Sequence, residues 1–211
     1  MIAASPLATI AAFHERSKEN HRYRSWMHCY EAFNENADDS EHLALHLAFF
    51  LASWGMYRGS SQLLQRDYKV HLGAVEATRK FSDLRGISFE DAQMRMSDIF
   101  ALKDEITRVY TSFDVTPTST LITKVMLGTL ACVPAYDRYF EMGIARHNAA
   151  CSIRIPKNFS QNGFSKLLKE AIGMEGVFSE AGNIVGDGEN GYVYPPMKLL
   201  DMHFWELGYN E

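Results

Sequence analysis

The chain has 211 residues, of which 46% are hydrophobic and 22% are charged, and its formal net charge is −5. These fractions exclude a disordered or fibrous protein and indicate one globular domain with a substantial core. The acidic balance also argues against a protein that coats nucleic acid non-specifically, because such proteins are basic overall.

The first predicted helix begins where Ser5 precedes Pro6, since a capping hydroxyl followed by proline is typical of a helix start. Asp39 or Ser40 is expected to cap the next long helix, EHLALHLAFFLASWGM. That segment is apolar on nearly all sides, which predicts a buried central helix. Gly55 and Gly59 are expected to end it and turn the chain.

A second glycine, Gly59, precedes a further helix that Ser60 or Ser61 is predicted to cap and that runs to about residue 81. A resemblance to a capping box at Ser88 and Asp91 then predicts a helix through residue 110. The threonines and serine of TPTST are expected to cap the helix LITKVMLGTLACV, and Pro134 ends it.

Helices are also predicted over AYDRYFEMGIARH, over FSKLLKEAIG and, after Pro195-Pro196, over MKLLDMHFWELG. Residues 173–194 are rich in glycine and are predicted to form a loop with one small hairpin, because Gly and Asn adopt the positive φ of tight turns. The expected fold is therefore mainly α: a single-domain orthogonal helical bundle around a buried central helix, with this loop inside residues 1–211.

The cysteines and the apolar segments bear on the compartment. Cys29, Cys132 and Cys151 are odd in number and form no CxxC pair, which argues against a disulfide framework and favours a reducing compartment. The N-terminus lacks the basic region of a signal peptide, and the apolar stretch 43–57 is shorter than the roughly 20 residues that span a bilayer. We therefore expect a cytoplasmic protein with no membrane partner.

One segment suggests catalysis, because Lys124 lies in the helix before a proline-marked turn and Asp137 follows the turn directly. The stretch Val133-Pro-Ala-Tyr-Asp137 resembles the PVDxxV pattern of the helix-hairpin-helix DNA glycosylase superfamily, although the glycine-rich LPGxGxxTA hairpin of that family does not precede it. The resemblance implies that Asp137 stabilises positive charge on the sugar of an extruded base. Lys124, in the helix before the turn, is the second catalytic candidate.

Arg58 stands beside the helix start predicted at Ser60 or Ser61, and free amides, hydroxyls and a guanidinium together favour an anion such as phosphate. Alternatively, the serine only caps the helix and Arg58 lies in solvent.

His42 and His46 share one helical face, which is half of a zinc site, but no third ligand such as His71 or His203 can be assigned. We therefore expect no metal, and no motif indicates a cofactor.

Two hypotheses follow. The first is a DNA-glycosylase-like enzyme acting on nucleic acid, with Asp137 and Lys124 as catalytic residues and Arg58, Ser60 and Ser61 as phosphate contacts. In it, aromatic side chains hold the extruded base. The second is a non-catalytic helical binding or regulatory protein, in which the same residues are caps and core.

Overall fold

A computed structural model describes residues 5–34, 38–59, 61–186 and 192–209. These residues form eleven α-helices and no strand, which confirms the mainly α fold class. The helices are α1 (Pro6–Glu19), α2 (Ser25–Ala32), α3 (Ser40–Ser53), α4 (Leu72–Lys80), α5 (Phe89–Met94), α6 (Met96–Ser112), α7 (Ser119–Thr129), α8 (Arg138–Cys151), α9 (Gln161–Gly173), α10 (Glu175–Gly186) and α11 (Pro196–Tyr209).

The helix starts follow the predicted capping chemistry. The side chains of Ser5, Asp39 and Thr118 each accept a hydrogen bond from a backbone N–H in the first turn of α1, α3 and α7. Each side chain satisfies a donor that the helix itself leaves without a partner.

Two predicted helices are interrupted. After Ser61 the chain forms two 3₁₀ turns, Gln62–Gln65 and Tyr68–His71, and α4 begins only at Leu72, because Asp67 caps the second turn and restarts the backbone. The helix predicted after Ser88 breaks at Arg95 into α5 and α6.

The prediction of a loop over residues 173–194 is wrong for Glu175–Gly186, which form α10. Phe178, Ala181 and Val185 recur at helical spacing and are buried, and their burial outweighs the cost of glycine within a helix. Residues 192–195 are not helical. Residues 187–191, where the tip of the predicted hairpin falls, lie outside the described residues.

The prediction that α3 is the central helix is also wrong. α3 packs on α2, α4 and α7 with one side and leaves Leu45 and Phe49 49% and 60% exposed on the other. The helices buried on nearly all sides are α7, over residues 121–129, and α11, over residues 197–206. None of the helices in the described ranges combines the length and apolar character needed to span a bilayer.

The closest packing joins α8 to α11 through two glycines. A Cβ at Gly143 would lie 1.9 Å from the carbonyl oxygen of Phe204, and a Cβ at Gly208 would lie 1.8 Å from that of Tyr139. Only glycine allows backbones this close, because the atoms that a side chain would meet are themselves backbone. The two helices are therefore held in one fixed relative position.

We expect Gly208→Ala to lower the free energy of unfolding by about 1–3 kcal/mol, the usual cost of overpacking, because the Tyr139 carbonyl cannot move aside. The matched control is Gly176→Ala in α10, where an added Cβ meets nothing within 4 Å. Alanine there should leave stability unchanged or raise it by up to about 1 kcal/mol. Denaturant unfolding of both variants measures the difference, and equal stabilities would contradict this packing.

Candidate active site

A cleft of about 650 Å³ opens between the C-terminal end of α3, α7, the start of α8 and α11. Its volume falls in the range of small-molecule and cofactor pockets. Cationic and aromatic side chains predominate among the larger residues of its wall: Arg22, Arg58, Lys124, Arg138, Trp54, Tyr139, Trp205 and Tyr209.

Two threonines of α7 fix the turn that brings Lys124 and Asp137 together. The backbone N–H of Tyr136 donates to Thr123 Oγ1 at 2.9 Å, and Thr120 Oγ1 donates to the Tyr136 carbonyl at 2.9 Å. The turn is therefore tied back onto α7, and Asp137, which follows it, faces the helix that carries Lys124.

The two oxygens of Asp137 have different partners. Oδ1 accepts hydrogen bonds from the backbone N–H groups of Tyr139 and Phe140, so it caps α8. Oδ2 lies 3.5 Å from Lys124 Nζ, and the two side chains are only 12% and 6% exposed. Lys124 Nζ also donates to the Trp54 carbonyl at 3.0 Å. The cap thus holds one oxygen in place and leaves the other facing the amine.

Burial lowers the pKa of Lys124, while the neighbouring carboxylate of Asp137 acts in the opposite direction. Desolvation disfavours the ammonium form, so this lysine becomes a neutral amine more readily than one at the surface. A neutral amine is the form that attacks a carbon electrophile. The site therefore supplies a nucleophile beside a carboxylate.

Three arginines lie on the wall of the same cleft. Among the residues that the structure describes, no ion pair joins Arg22, Arg58 or Arg138 to a carboxylate. Gly55, at φ +76°, keeps room for Arg58, because a Cβ there would lie 2.8 Å from the Arg58 Nε. The cleft thus carries positive charge that is available to an anionic ligand.

Of the residues predicted from sequence, Lys124, Asp137 and Arg58 all line this cleft. Ser61 does not: it caps the Gln62–Gln65 turn and donates to the Met56 carbonyl. Ser60 lies outside the described residues. The sequence predicted that a long helix starting near Ser61 would bind an anion with its free amides, but the chain forms the short 3₁₀ turn Gln62–Gln65 there. The positive charge of the cleft comes instead from arginines of separate segments.

The histidines form no metal site in the described part of the chain. The rings of His42 and His46 lie 4.5 Å apart, but no group of three or more ligand side chains is arranged to hold a metal ion there. His71 hydrogen-bonds to the hydroxyls of Tyr57 and Tyr110, and His203 to that of Thr9.

Comparison of the chain with models of known protein families, with curated proteins and with solved structures finds no match.

Other residues of the cleft carry no motif in the sequence. Arg22 lies in a charged stretch, and Trp205 and Tyr209 lie in an amphipathic helix, where aromatic residues normally face a core. One signal was available: Lys198, Asp201 and Trp205 recur at i, i+3 and i+7, and buried charges at core spacing are rare enough to mark a site.

We expect Lys124→Met to cost only about 1 kcal/mol of unfolding free energy, because Asp137 keeps its two backbone donors and reaches the open cleft. The control is Lys198→Met, which breaks the sealed pair of Lys198 and Asp201, with side chains 3% and 6% exposed, and should cost about 3–5 kcal/mol. Thermal and denaturant unfolding compare the two. If Lys124→Met proves as costly as Lys198→Met, the Lys124–Asp137 pair serves stability.

Proposed function

We propose that this chain is a DNA-glycosylase-like enzyme that acts on nucleic acid, with Lys124 and Asp137 as its catalytic residues. The observation that carries the proposal is the meeting of the Lys124 amine and the Asp137 carboxylate, 3.5 Å apart, in a cleft with arginines and aromatic rings on its wall. The sequence resemblance around Val133–Asp137 points to Asp137.

The composition of the wall supports a nucleotide as the ligand. Arginines attract phosphates, and aromatic rings stack on bases of any sequence. The cleft wall offers three arginines for phosphate, Arg22, Arg58 and Arg138, and two aromatic rings for the base, those of Tyr139 and Tyr209. A cleft of about 650 Å³ has the size that one nucleotide swung out of the duplex requires.

The chemistry assigns a separate task to each residue. The neutral amine of Lys124 forms a bond to C1′ of the sugar while the C1′–N bond to the base breaks and its electron pair leaves with the base, which takes up a proton. The carboxylate of Asp137 stabilises the positive charge that develops on the sugar as that bond lengthens. The C1′–O4′ bond then breaks, its electron pair leaves on O4′, which takes up the remaining proton of the lysine nitrogen, and an imine joins Lys124 to C1′.

A second function is favoured by one observation, the capping of α8 by Asp137. In a non-catalytic binding or regulatory protein this cap would account for Asp137 on its own, and Lys124 would serve as its buried counter-ion. The two functions differ in whether the pair reacts, and a chemical test therefore separates them.

We expect the protein to bind a short fluorescent duplex that carries an abasic-site analogue, with an affinity that falls steeply as salt rises, because phosphate contacts release counterions. Arg58→Ala should weaken binding and reduce the slope of log K against log salt by about 1. Arg154→Ala removes the same charge beyond the C-terminal end of α8 and should change neither. Fluorescence anisotropy measures both, and a flat salt response would exclude the phosphate contacts.

We expect borohydride to trap the protein covalently on duplexes from a panel of single damaged bases, since it reduces the imine on Lys124. Lys124→Gln should abolish the trapped species, whereas Lys166→Gln, on α9, should leave it intact. Asp137→Asn keeps the cap oxygen, so it should retain binding and lose base release by about 10²–10³-fold. Trapping that survives Lys124→Gln, or no base release from any duplex of the panel, would falsify the enzymatic function.

A further inference from the structure

A second buried ion pair lies behind the first. On α11, Lys198 Nζ donates to Asp201 Oδ2 at 2.7 Å, and Asp201 Oδ1 accepts from the backbone N–H of Ala135 at 3.0 Å. Lys198 and Asp201 are 2% and 4% exposed, so neither charge is solvated by bulk water. Asp201 thus holds the backbone two residues before Asp137, and both of its oxygens have partners.

A small space, continuous in its lining with the cleft, joins the two pairs. A cavity of about 10 Å³ is lined by all four charged side chains, Lys124, Asp137, Lys198 and Asp201, with Trp54 among the residues that close it. Its volume is about that of one water probe, so the charges face one another across a gap of molecular size. In a low-dielectric interior, charges at this separation interact strongly.

The Lys198 cation is itself held by aromatic rings. Its Nζ lies 4.9 Å from the ring centre of Phe13, 5.2 Å from that of Trp26 and 5.8 Å from that of Trp54. Cation–π contacts of this kind compensate part of the desolvation of the ammonium group. The aromatic contacts of Lys198 and the hydrogen bonds of Asp201 therefore offset part of the cost of burying this pair behind Lys124.

We propose that Asp201 is a positioning residue of the Lys124–Asp137 site, which holds the turn before Asp137 through the Ala135 amide and supplies a buried negative charge that acts on Lys124. The inference rests on the proposed function for its catalytic meaning. The interaction between Asp201 and Lys124 exists whether or not the protein acts on DNA.

The charged groups around Lys124 determine whether its pKa rises or falls when Asp201 is neutralised. Burial lowers the pKa of Lys124, Asp137 and then Asp201 raise it, and Arg58 lowers it. Lys198 lines the small cavity, and Arg22 and Arg138 line the cleft, so these cations also favour the neutral amine.

Around Asp201 itself, burial raises the pKa of the carboxyl group, the facing cation of Lys198 lowers it, and the carboxylate of Asp137 raises it again. Neutralising Asp201 removes an anion that favours the ammonium form of Lys124 and leaves the Lys198 cation uncompensated. Both changes lower the pKa of Lys124.

The test is an NMR titration of the intact protein with ¹³C-labelled lysine Cε, in which Lys124→Arg assigns the Lys124 resonance. In Asp201→Asn, which keeps an oxygen for the Ala135 amide, we expect the deprotonated fraction of Lys124 at a fixed pH to rise about tenfold. Glu170→Gln, which neutralises the carboxylate that pairs with His147 between α8 and α9, is the matched control and should not move the titration.

A folded Asp201→Asn protein with an unchanged Lys124 titration overturns the proposal. If this variant does not fold, the test uses the wild-type protein with ¹³C-labelled aspartate and lysine. The Lys124 Cε resonance should then shift at the pH at which the Asp201 carboxyl group takes up its proton. Independent titrations of the two groups would overturn the proposal equally.

The catalytic role of Asp201 is tested by a separate measurement. On duplexes that the wild type traps, the pH profile of borohydride trapping should move to lower pH in Asp201→Asn, as the NMR titration does. A wild type that traps no duplex counts against the enzymatic function alone, because the lysine titration needs no substrate. A shift in the lysine titration without a shift in the trapping profile overturns the catalytic role of Asp201.

Discussion

The contact of α8 with α11 at Gly143 and Gly208 is the constraint on which the site depends. Backbone meets backbone there, so neither helix can slide without a clash. α8 begins at the Asp137 cap, and α11 carries Asp201 and Trp205. Locking these two helices together therefore sets the distance between the carboxylate at the start of one and the charged and aromatic residues on the other.

The two ion pairs of the site differ in how completely they are buried and in how closely their charges approach. The Lys198–Asp201 pair is sealed, and each of its charges has a hydrogen-bonding partner or an aromatic neighbour. The Lys124–Asp137 pair lies at a cleft wall, where its longer 3.5 Å separation makes a weaker bond. A weaker pair is easier for a ligand to open, and an amine in a desolvated position is easier to deprotonate. The sealed pair supports the turn before Asp137, and the open pair is the one to which the proposed chemistry is assigned.

The cleft concentrates positive charge on a protein that is acidic overall. The net charge of −5 describes the whole chain, whereas affinity for phosphate depends on the local field. Arg22, Arg58 and Arg138 come from three separate segments and concentrate positive charge on one wall. Among the described residues, no ion pair joins these three arginines to a carboxylate, so their charge is available. The net charge of the chain therefore does not describe the charge of this cleft.

The sequence by itself determined the helical fold class, the caps at Ser5, Asp39 and Thr118, and the local grouping of Lys124 with Asp137, because capping and periodicity act over a few neighbouring residues. That Arg58 lines the same cleft was decided by the tertiary structure. The sequence prediction was wrong for α10, because its glycines indicated a loop although apolar residues recur there at helical spacing. It was also wrong for α3, because a helix that is apolar on all sides does not show which side packs against the rest of the protein. Only the tertiary structure placed Asp201, Trp205 and Arg22 beside Lys124. These residues are separated from Lys124 by roughly 75–100 positions, and no local interaction encodes their approach.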